Sequence, residues 1–178
     1  MIGDPHLASK LDDLAVSSRL HDLALFTLDG RPKRIKQLQR VLSALSPGVY
    51  LFGAGPYSQG VVSLMCDEVV IGRMATPLEQ LREEAIDVFV NDGVGLLPRE
   101  VSKVHCVIYR REGVERHDYW IMDRGSTCGT FVNGDRLEIA TSGSEEEKIK
   151  TSRALENGDV ISLGPAQINF FVFADLRG

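Results

Sequence analysis

Two groups of residues in this chain have types and spacings that are associated with catalysis. The Gly-Ala-Gly sequence at 53–55 is similar to the start of a nucleotide-binding loop, but Pro56 follows where that loop needs a third glycine and the start of a helix. Asp12, His21 and Ser58 are the residue types of a hydrolytic triad, but no strand or nucleophile-elbow sequence surrounds them. We therefore predict that the chain is not an enzyme and has no catalytic residues.

The cysteines are Cys66, Cys106 and Cys128, an odd number with no C-x-x-C pair and no histidine cluster nearby. This arrangement argues against a disulfide framework and against a zinc site. We expect no metal, no cofactor and a reducing intracellular location, cytoplasmic or nuclear. No apolar run approaches the roughly 20 residues that a membrane span needs, and the start of the chain lacks a signal pattern, so we expect no membrane association.

Length and charge limit the other classes of function. The chain has 178 residues, of which 43% are hydrophobic, enough to bury a core of ordinary size. Its formal net charge is −5 and it has no dense run of Lys or Arg. Because nucleic-acid binding depends on neutralising many phosphates, we expect no nucleic-acid partner.

Residues 1–48 are predicted to form a helical extension. Asp4-Pro5 is a typical cap with a first-turn proline, and a second helix is predicted from Pro32 until Pro47-Gly48. Apolar residues three or four positions apart form one stripe on each helix, namely Leu7, Leu11 and Leu14, then Ile35, Leu38, Leu42 and Leu45. The stripes are expected to pack on the domain that follows. The alternative is self-association through a partner helix or a second copy of the chain.

Residues 49–178 are predicted to form one β domain, because short β-rich runs alternate there with turn residues. The clearest turn lies between Phe131-Val132 and Arg136-Leu137, where Asn133-Gly134 is the residue pair that a hairpin turn with two positive φ angles prefers. Further strands are predicted at 61–65, 69–71, 86–90, 104–109, 119–122, 160–163 and 167–173.

Two segments interrupt this β pattern. The sequence PLEQLREEA at 77–85 has helix-forming residues and an acidic start, so it predicts a short helical insert. Residues 139–153 are polar and poor in hydrophobic side chains, which predicts a long, mobile surface loop.

Four separated segments together resemble the forkhead-associated (FHA) domain family: VVIGR at 69–73, VSKVH at 101–105, DRGSTCGTFVNG at 123–134 and LENGDVISLG at 155–164. Each segment alone is a weak signal, but all four occur in the family's order and at roughly its spacing. The resemblance covers about residues 60–174. It implies a mainly β fold, a two-sheet β-sandwich with ligand-binding loops at one end, to which residues 1–48 add an N-terminal helical extension.

The resemblance also implies that the ligand is a peptide carrying phosphothreonine. Such a residue has close to two negative charges and three acceptor oxygens, so its site needs a fixed cation and several donors. Arg73 matches the family's arginine, which contacts the phosphate or orders its site. Ser102 matches the serine that donates its hydroxyl to a phosphate oxygen, although a serine that binds its own backbone is an alternative. Lys103 is expected to add a second cation, or else to be a solvated lysine.

Other residues of the four segments match positions in or beside the ligand-binding loops. Thr127 precedes the family's asparagine position, so it can offer the ligand a hydroxyl or a backbone N–H. His105 matches a histidine that hydrogen-bonds within the loop scaffold, so we predict a structural role for it. The remaining residues are expected to support the fold, with glycines where a side chain would clash and an asparagine in the hairpin turn: Gly72, Gly129, Gly134 and Asn133.

Cys128 departs from the family pattern. The family has Ser-x-Asn-Gly-Thr, whereas this chain has Ser-Thr-Cys-Gly-Thr at 126–130. The family's asparagine hydrogen-bonds the main chain of the bound peptide with both a donor and an acceptor, and a thiol offers only weak versions of each. We expect Cys128 to line the peptide site but to bind the peptide main chain less strongly.

The sequence thus predicts a phosphothreonine-dependent peptide-binding adaptor in intracellular signalling or assembly, whose partner is a phosphothreonine-containing protein. The alternative is a degenerate FHA module that serves as a phosphate-independent protein-interaction scaffold. Cys128 favours the alternative. Arg73 and Ser102 favour phosphate recognition, because a scaffold needs neither a cation nor a hydroxyl at these positions.

The apolar stripes of the extension would face water unless they pack on the domain, so we expect them to cover part of its surface. Deletion of residues 1–48 should then expose that surface and lower the melting temperature or cause aggregation. Thermal unfolding and size-exclusion chromatography of the truncated and full chains measure this. A truncated chain that is equally stable and monodisperse would instead indicate a separate partner-binding arm.

Overall fold

Short strands joined by turns make up most of the ordered elements. The computed structural model describes residues 45–53, 58, 60–73, 86–90, 99–111, 119–139 and 144–177. The strands within these ranges are β1 (Val49–Gly53), β2 (Gly60–Ser63), β3 (Glu68–Arg73), β4 (Val88–Val90), β5 (Cys106–Arg110), β6 (Tyr119–Asp123), β7 (Thr130–Val132), β8 (Asp135–Arg136), β9 (Arg153–Ala154), β10 (Val160–Leu163) and β11 (Phe170–Asp175). One helix, α1 (Glu145–Thr151), lies between β8 and β9.

The strands form two sheets. The six-stranded sheet has the order β2-β1-β11-β10-β7-β8 and the five-stranded sheet the order β4-β3-β5-β6-β9. The pair β3 and β4 is parallel, and the other strand pairs are antiparallel. The predicted mainly β fold with two sheets is therefore confirmed.

The core lies between the facing sides of the two sheets, because successive side chains of a strand point to opposite faces. In β11, Phe171 and Phe173 belong to the main core cluster, whereas Phe170, Val172 and Ala174 belong to a second cluster on the other face of the same strand. The main cluster also contains buried residues of both sheets, including Leu51, Ile71, Ile108, Ile121, Ile161 and Leu163. The continuous apolar run of β11 is thus explained by burial on both of its faces.

The outer face of the six-stranded sheet carries the second apolar cluster. Phe52 is fully buried in it, and Leu45 and Tyr50 pack against it. Leu45 is the last residue of the apolar stripe predicted for the N-terminal extension. Residues 1–44 lie outside the described residues, and so do the predicted helical insert at 77–85 and the catalytic candidates Asp12 and His21.

The predicted hairpin turn at Asn133-Gly134 joins β7 and β8. Both residues have positive φ angles, 55° and 90°, as the favoured two-residue hairpin turn requires. The carboxamide of Asn133 also connects this turn to the one before β10. Its Oδ1 accepts a hydrogen bond from the backbone N–H of Val160 at 3.0 Å, and its Nδ2 donates to Asp159 Oδ1 at 2.8 Å.

The prediction of a loop over 139–153 is wrong for residues 145–151, which form α1, and for β9 at its end. The helix is stabilised by its termini more than by an apolar stripe. Ser144 caps it by accepting from the backbone N–H of Glu147 at 3.3 Å, and three glutamates occupy its first turn and two lysines its last. The cap satisfies a free N–H at the start of the helix, and the order of the charges is favourable for the helix dipole. The prediction of a loop rested only on the low hydrophobicity of the segment.

Candidate functional site

The end of β3 lies beside the segment that precedes β5. The backbone N–H of Arg73 donates to the carbonyl of Ser102 at 2.9 Å, and that of His105 donates to the carbonyl of Ile71 at 2.9 Å. These two bonds continue the β3–β5 pairing toward one end of the sandwich. Arg73 and Ser102, far apart in sequence, therefore become neighbours there.

Gly72 makes this close approach of the two segments feasible. A Cβ on Gly72 would overlap the carbonyl oxygen of Lys103, which is a backbone atom and cannot move away as a flexible side chain could. Any side chain at this position would push the 102–103 segment away from β3. The glycine thus fixes the distance between the Arg73 strand and the Ser102 loop.

Ser102 in turn holds the loop that joins β6 and β7. Its Oγ accepts a hydrogen bond from the backbone N–H of Thr127 at 3.0 Å. The Oγ of Ser102 can also donate to Thr127 Oγ1, but the two oxygens are 3.5 Å apart, farther than the usual 2.5–3.0 Å between the oxygens of such a bond. The hydrogen bond that the Ser102 hydroxyl accepts from Thr127 therefore fixes its position, whereas the bond that it donates is weak.

The imidazole of His105 is fully buried and both of its ring nitrogens are bonded. Nδ1 accepts from the backbone N–H of Ser102 at 3.1 Å, so the ring hydrogen is on Nε2, which donates to the carbonyl of Gly129 at 3.2 Å. This assignment follows because an N–H donor faces Nδ1 and a carbonyl faces Nε2. His105 joins the Ser102 loop to the 124–129 loop, with no nitrogen left to act as a base.

The 124–129 loop is built on the carboxylate of Asp123, which is fully buried at the end of β6. Its Oδ1 accepts from the backbone N–H of Ser126 at 2.7 Å, and its Oδ2 accepts from the hydroxyls of Ser126 at 2.6 Å and Thr130 at 2.7 Å. The Ser126 hydroxyl also accepts from the backbone N–H of Gly129 at 2.9 Å. Three donors thus compensate a buried charge and fold the loop into a tight turn.

The three cysteines differ in their surroundings. Cys66 is exposed, Cys106 is buried in β5, and Cys128 is partly buried in the 124–129 loop. Burial and, to a smaller extent, the negative charge of Asp123 raise the pKa of the Cys106 thiol far above its usual range. Cys106 therefore stays a neutral core residue, whereas Cys128 directly follows Thr127 in the predicted ligand-binding loop.

The predicted site residues fall into two groups. Arg73, Ser102 and Thr127 come together through the backbone bonds described above, with Lys103 and Cys128 adjacent to them in the same loops. Asn133 and Gly134 lie in the β7–β8 hairpin. Among the described residues other than its chain neighbours, no atom lies within 4 Å of a Cβ placed on Gly134, so the prediction of a clash there is wrong. Its positive φ explains the glycine.

Asp123 and Ser126 were missed as residues that build the site. The available signal was the Asp-x-x-Ser spacing in the DRGS sequence after a strand, since an aspartate side chain commonly accepts from a nearby backbone N–H in a turn. Ser58, a residue of the rejected triad, is buried and donates its hydroxyl to the carbonyl of Phe170 at 3.1 Å.

The described residues contain neither a metal-binding cluster nor a membrane-spanning helix. Within the parts of the chain that the structure describes, no group of three or more His, Cys, Asp or Glu residues is arranged to hold a metal ion. Among the same residues, no helix has the length and apolar character needed to cross a membrane.

Replacing Asp123 with alanine is expected to lower the free energy of unfolding by about 2–4 kcal/mol, because it leaves buried donors of Ser126 and Thr130 without an acceptor. Urea denaturation measures the change. The matched control is Asp135→Ala, which removes an exposed ion pair with Arg153 at 3.3 Å and should cost less than about 1 kcal/mol. Equal losses in the two variants would contradict a central role of Asp123 in the loop.

Comparison with solved structures and protein families agrees with this architecture. The structure is similar to that of full-length yeast Pml1p, with 17% sequence identity, a TM-score of 0.53, and coverage of 82% of this chain and 92% of that chain. A second structure of the yeast Pml1 splicing factor gives 18% identity, a TM-score of 0.54, and coverage of 79% and 89%. Mycobacterium tuberculosis EmbR, solved with a low-affinity phosphopeptide, gives 19% identity, a TM-score of 0.48, and coverage of 83% and 30%.

A search of curated protein sequences gave no significant match. The family model of the FHA domain, in contrast, matches residues 69–164, from the start of the β3 core to the turn after β10. This match covers more than half of the chain and contains Arg73, Ser102, His105 and the 124–129 loop. The chain therefore belongs to the FHA-domain family.

Proposed function

We propose that this chain is a phosphothreonine-dependent peptide-binding module that acts as an intracellular adaptor for a phosphorylated partner protein. The observation that supports it most is the convergence of Arg73, Ser102 and Thr127 at one end of the sandwich. Among the described residues, the side chain of Arg73 forms no hydrogen bond or ion pair. Its guanidinium is therefore not occupied by a carboxylate in this part of the chain and can meet an anion.

The chemistry of a phosphate group fits this arrangement. A phosphate dianion needs a fixed cation and donors that converge on it, and a guanidinium offers a planar set of donors that matches its oxygens. Ser102 adds a hydroxyl that donates only a weak hydrogen bond within the chain, because its Oγ lies 3.5 Å from Thr127 Oγ1. A phosphate oxygen at a normal distance would replace this weak bond with a stronger, charge-assisted one.

The site is also rigid before any ligand binds. The Ser102 hydroxyl is held by Thr127, and the loop that carries Thr127 is held by His105 and Asp123. Binding then requires little further ordering of these groups, and less of the interaction energy is lost to entropy. Peptide recognition at loops supported by a rigid sandwich is consistent with this organisation.

Under this proposal the chain binds its phosphopeptide without catalysing a reaction on it. A phosphatase or hydrolase would need a general base or an activated nucleophile within reach of the ligand. His105 uses both ring nitrogens in bonds to backbone groups. A role as a binding module agrees better with these bonds than a catalytic role does.

A phosphate-independent scaffold remains the competing function, and Cys128 is the observation that favours it. The thiol stands where the family's asparagine would bind the main chain of the peptide, and it offers only weak hydrogen bonds. Arg73 and Ser102 distinguish the two functions, because only a phosphate-dependent module should lose its ligand when either is removed.

Arg73→Ala is expected to weaken binding of a phosphothreonine peptide by more than about a hundredfold, because each of two charge-assisted hydrogen bonds contributes about 1.5–3 kcal/mol and about 1.4 kcal/mol is tenfold in affinity. Fluorescence polarisation with labelled peptides, chosen from a phosphothreonine library, measures the effect.

The control is Arg110→Ala, which removes an exposed arginine from the opposite end of β5 and should leave the affinity unchanged. The same peptide without phosphate should not bind the unsubstituted protein. Equal affinities for the phosphorylated and plain peptides would refute phosphate dependence and favour the scaffold.

Cys128→Asn is expected to strengthen binding of phosphorylated peptides by severalfold to about tenfold. An amide can pair with a carbonyl and an N–H of the peptide at about 0.5–1.5 kcal/mol each, and part of this gain only replaces the weaker bonds of the thiol. Affinity and melting temperature are measured on the same variant. A lower melting temperature without tighter binding would mean that the side chain at 128 packs inward and that this loop does not bind the peptide main chain.

A further inference from the structure

Arg136 lies directly against the 124–129 loop, although it belongs to β8. If Gly129 carried a Cβ, that atom would lie 2.5 Å from Nε and 3.1 Å from Cζ and Nη2 of Arg136. The guanidinium therefore occupies the space into which a side chain at 129 would project. Gly129 has a φ of 90°, which favours glycine in any case. The missing side chain leaves room for the arginine of the neighbouring hairpin.

The loop that Arg136 contacts is fixed in position. The carbonyl of Gly129 accepts from His105 Nε2 at 3.2 Å and from the backbone N–H of Gly164 at 3.0 Å. Thr127 and Cys128 directly precede this anchored glycine. The Arg136 guanidinium thus lies beside a fixed part of the loop that carries two of the proposed peptide-contacting residues.

The charge of Arg136 is not neutralised by another described residue. Its side chain is exposed and forms no hydrogen bond or ion pair within the described part of the chain. The adjacent carboxylate, Asp135, instead pairs with Arg153 at 3.3 Å. The carboxylate inside the loop, Asp123, is buried and uses its oxygens on Ser126 and Thr130. Arg136 therefore adds an uncompensated positive charge beside the site, in a chain with a net charge of −5.

We propose that Arg136 is a specificity-determining residue that selects phosphopeptides with an Asp or Glu side chain near the phosphothreonine. This inference rests on the proposed function and adds the class of peptide that the site prefers. Arg73 and Ser102 account for the phosphate, so a second cation beside the same loop is suited to a second anion on the same ligand. A guanidinium binds a carboxylate through two parallel hydrogen bonds, which makes the selection geometric as well as electrostatic.

The test uses the full chain and a series of phosphothreonine peptides that are neutral except for the phosphate. A single Asp is placed in turn at each flanking position, and fluorescence polarisation gives the dissociation constants. We expect one position at which Asp tightens binding by about fivefold relative to Ala, the size of an exposed but well-oriented ion pair. In Arg136→Gln the ratio of the affinities for the Asp and Ala peptides should fall to about one. This holds even if the substitution also changes both affinities by a common factor.

Two variants make the result specific to the charge of Arg136. Arg110→Gln, at the opposite end of β5, should keep the preference for Asp. Arg136→Glu should reverse it, so that a Lys at the same peptide position binds more tightly than an Asp. Melting temperatures of the variants should match that of the parent, since the Arg136 side chain is exposed.

The outcomes separate this inference from the proposed function. An Asp-to-Ala ratio that is the same in the parent and in Arg136→Gln, with phosphate dependence intact, overturns only the selection by Arg136. A uniform loss of affinity for every peptide also overturns it, because that result indicates contact with the peptide main chain or support of the loop. Loss of phosphate dependence in the parent refutes the proposed function, and absence of any peptide binding refutes both.

Discussion

The buried imidazole of His105 connects the two loops that carry the candidate site, and the geometry of this end of the sandwich depends on it. Its side chain bonds the Ser102 backbone on one side and the Gly129 carbonyl on the other. Its own backbone donates to Ile71 in β3 and accepts from Arg124 in the opposite loop. Four hydrogen bonds at one buried residue thus hold β3, the 102–105 segment and the 124–129 loop together. Removing the ring would leave the partly buried N–H of Ser102 without its acceptor, and the buried carbonyl of Gly129 would keep only the bond from Gly164.

Asp123 complements His105 by shaping the second loop from within. A buried carboxylate is costly unless donors surround it, and the loop provides three of them from Ser126 and Thr130. The carboxylate therefore stabilises the turn and forms no ion pair with Arg73 or Arg136, because its oxygens accept hydrogen bonds within the loop and from the start of β7. Burial thus separates the carboxylate that organises the loop from the arginines that we propose bind the ligand.

The sandwich could be predicted because the four family segments contain the turns and strand ends that define it. The Asn-Gly hairpin could be predicted from the local φ preferences of these two residues alone. The helix α1 was not predicted, since its stability comes from the Ser144 cap and the ordering of charges along seven residues. The grouping of Arg73 with Ser102 and Thr127 followed only from the family resemblance, because Ser102 and Thr127 are 25 residues apart and no local pattern links them. Arg136 could not be predicted at all, as its contact with Gly129 depends on the hairpin register and on a missing side chain.

Cys128 and Arg136 together determine how binding energy would be distributed over the ligand. Both contribute to the same part of the surface, because Cys128 precedes Gly129 and the Arg136 guanidinium packs on that glycine. Under the proposed function, the thiol would weaken contacts with the peptide main chain, which are the same for every peptide sequence. The guanidinium would strengthen binding only of peptides with an acidic side chain. A site of this kind gains discrimination as it loses general affinity for extended peptides. The phosphate on Arg73 and Ser102 and a nearby carboxylate on Arg136 would then carry a larger share of the binding free energy than in a site with asparagine at position 128.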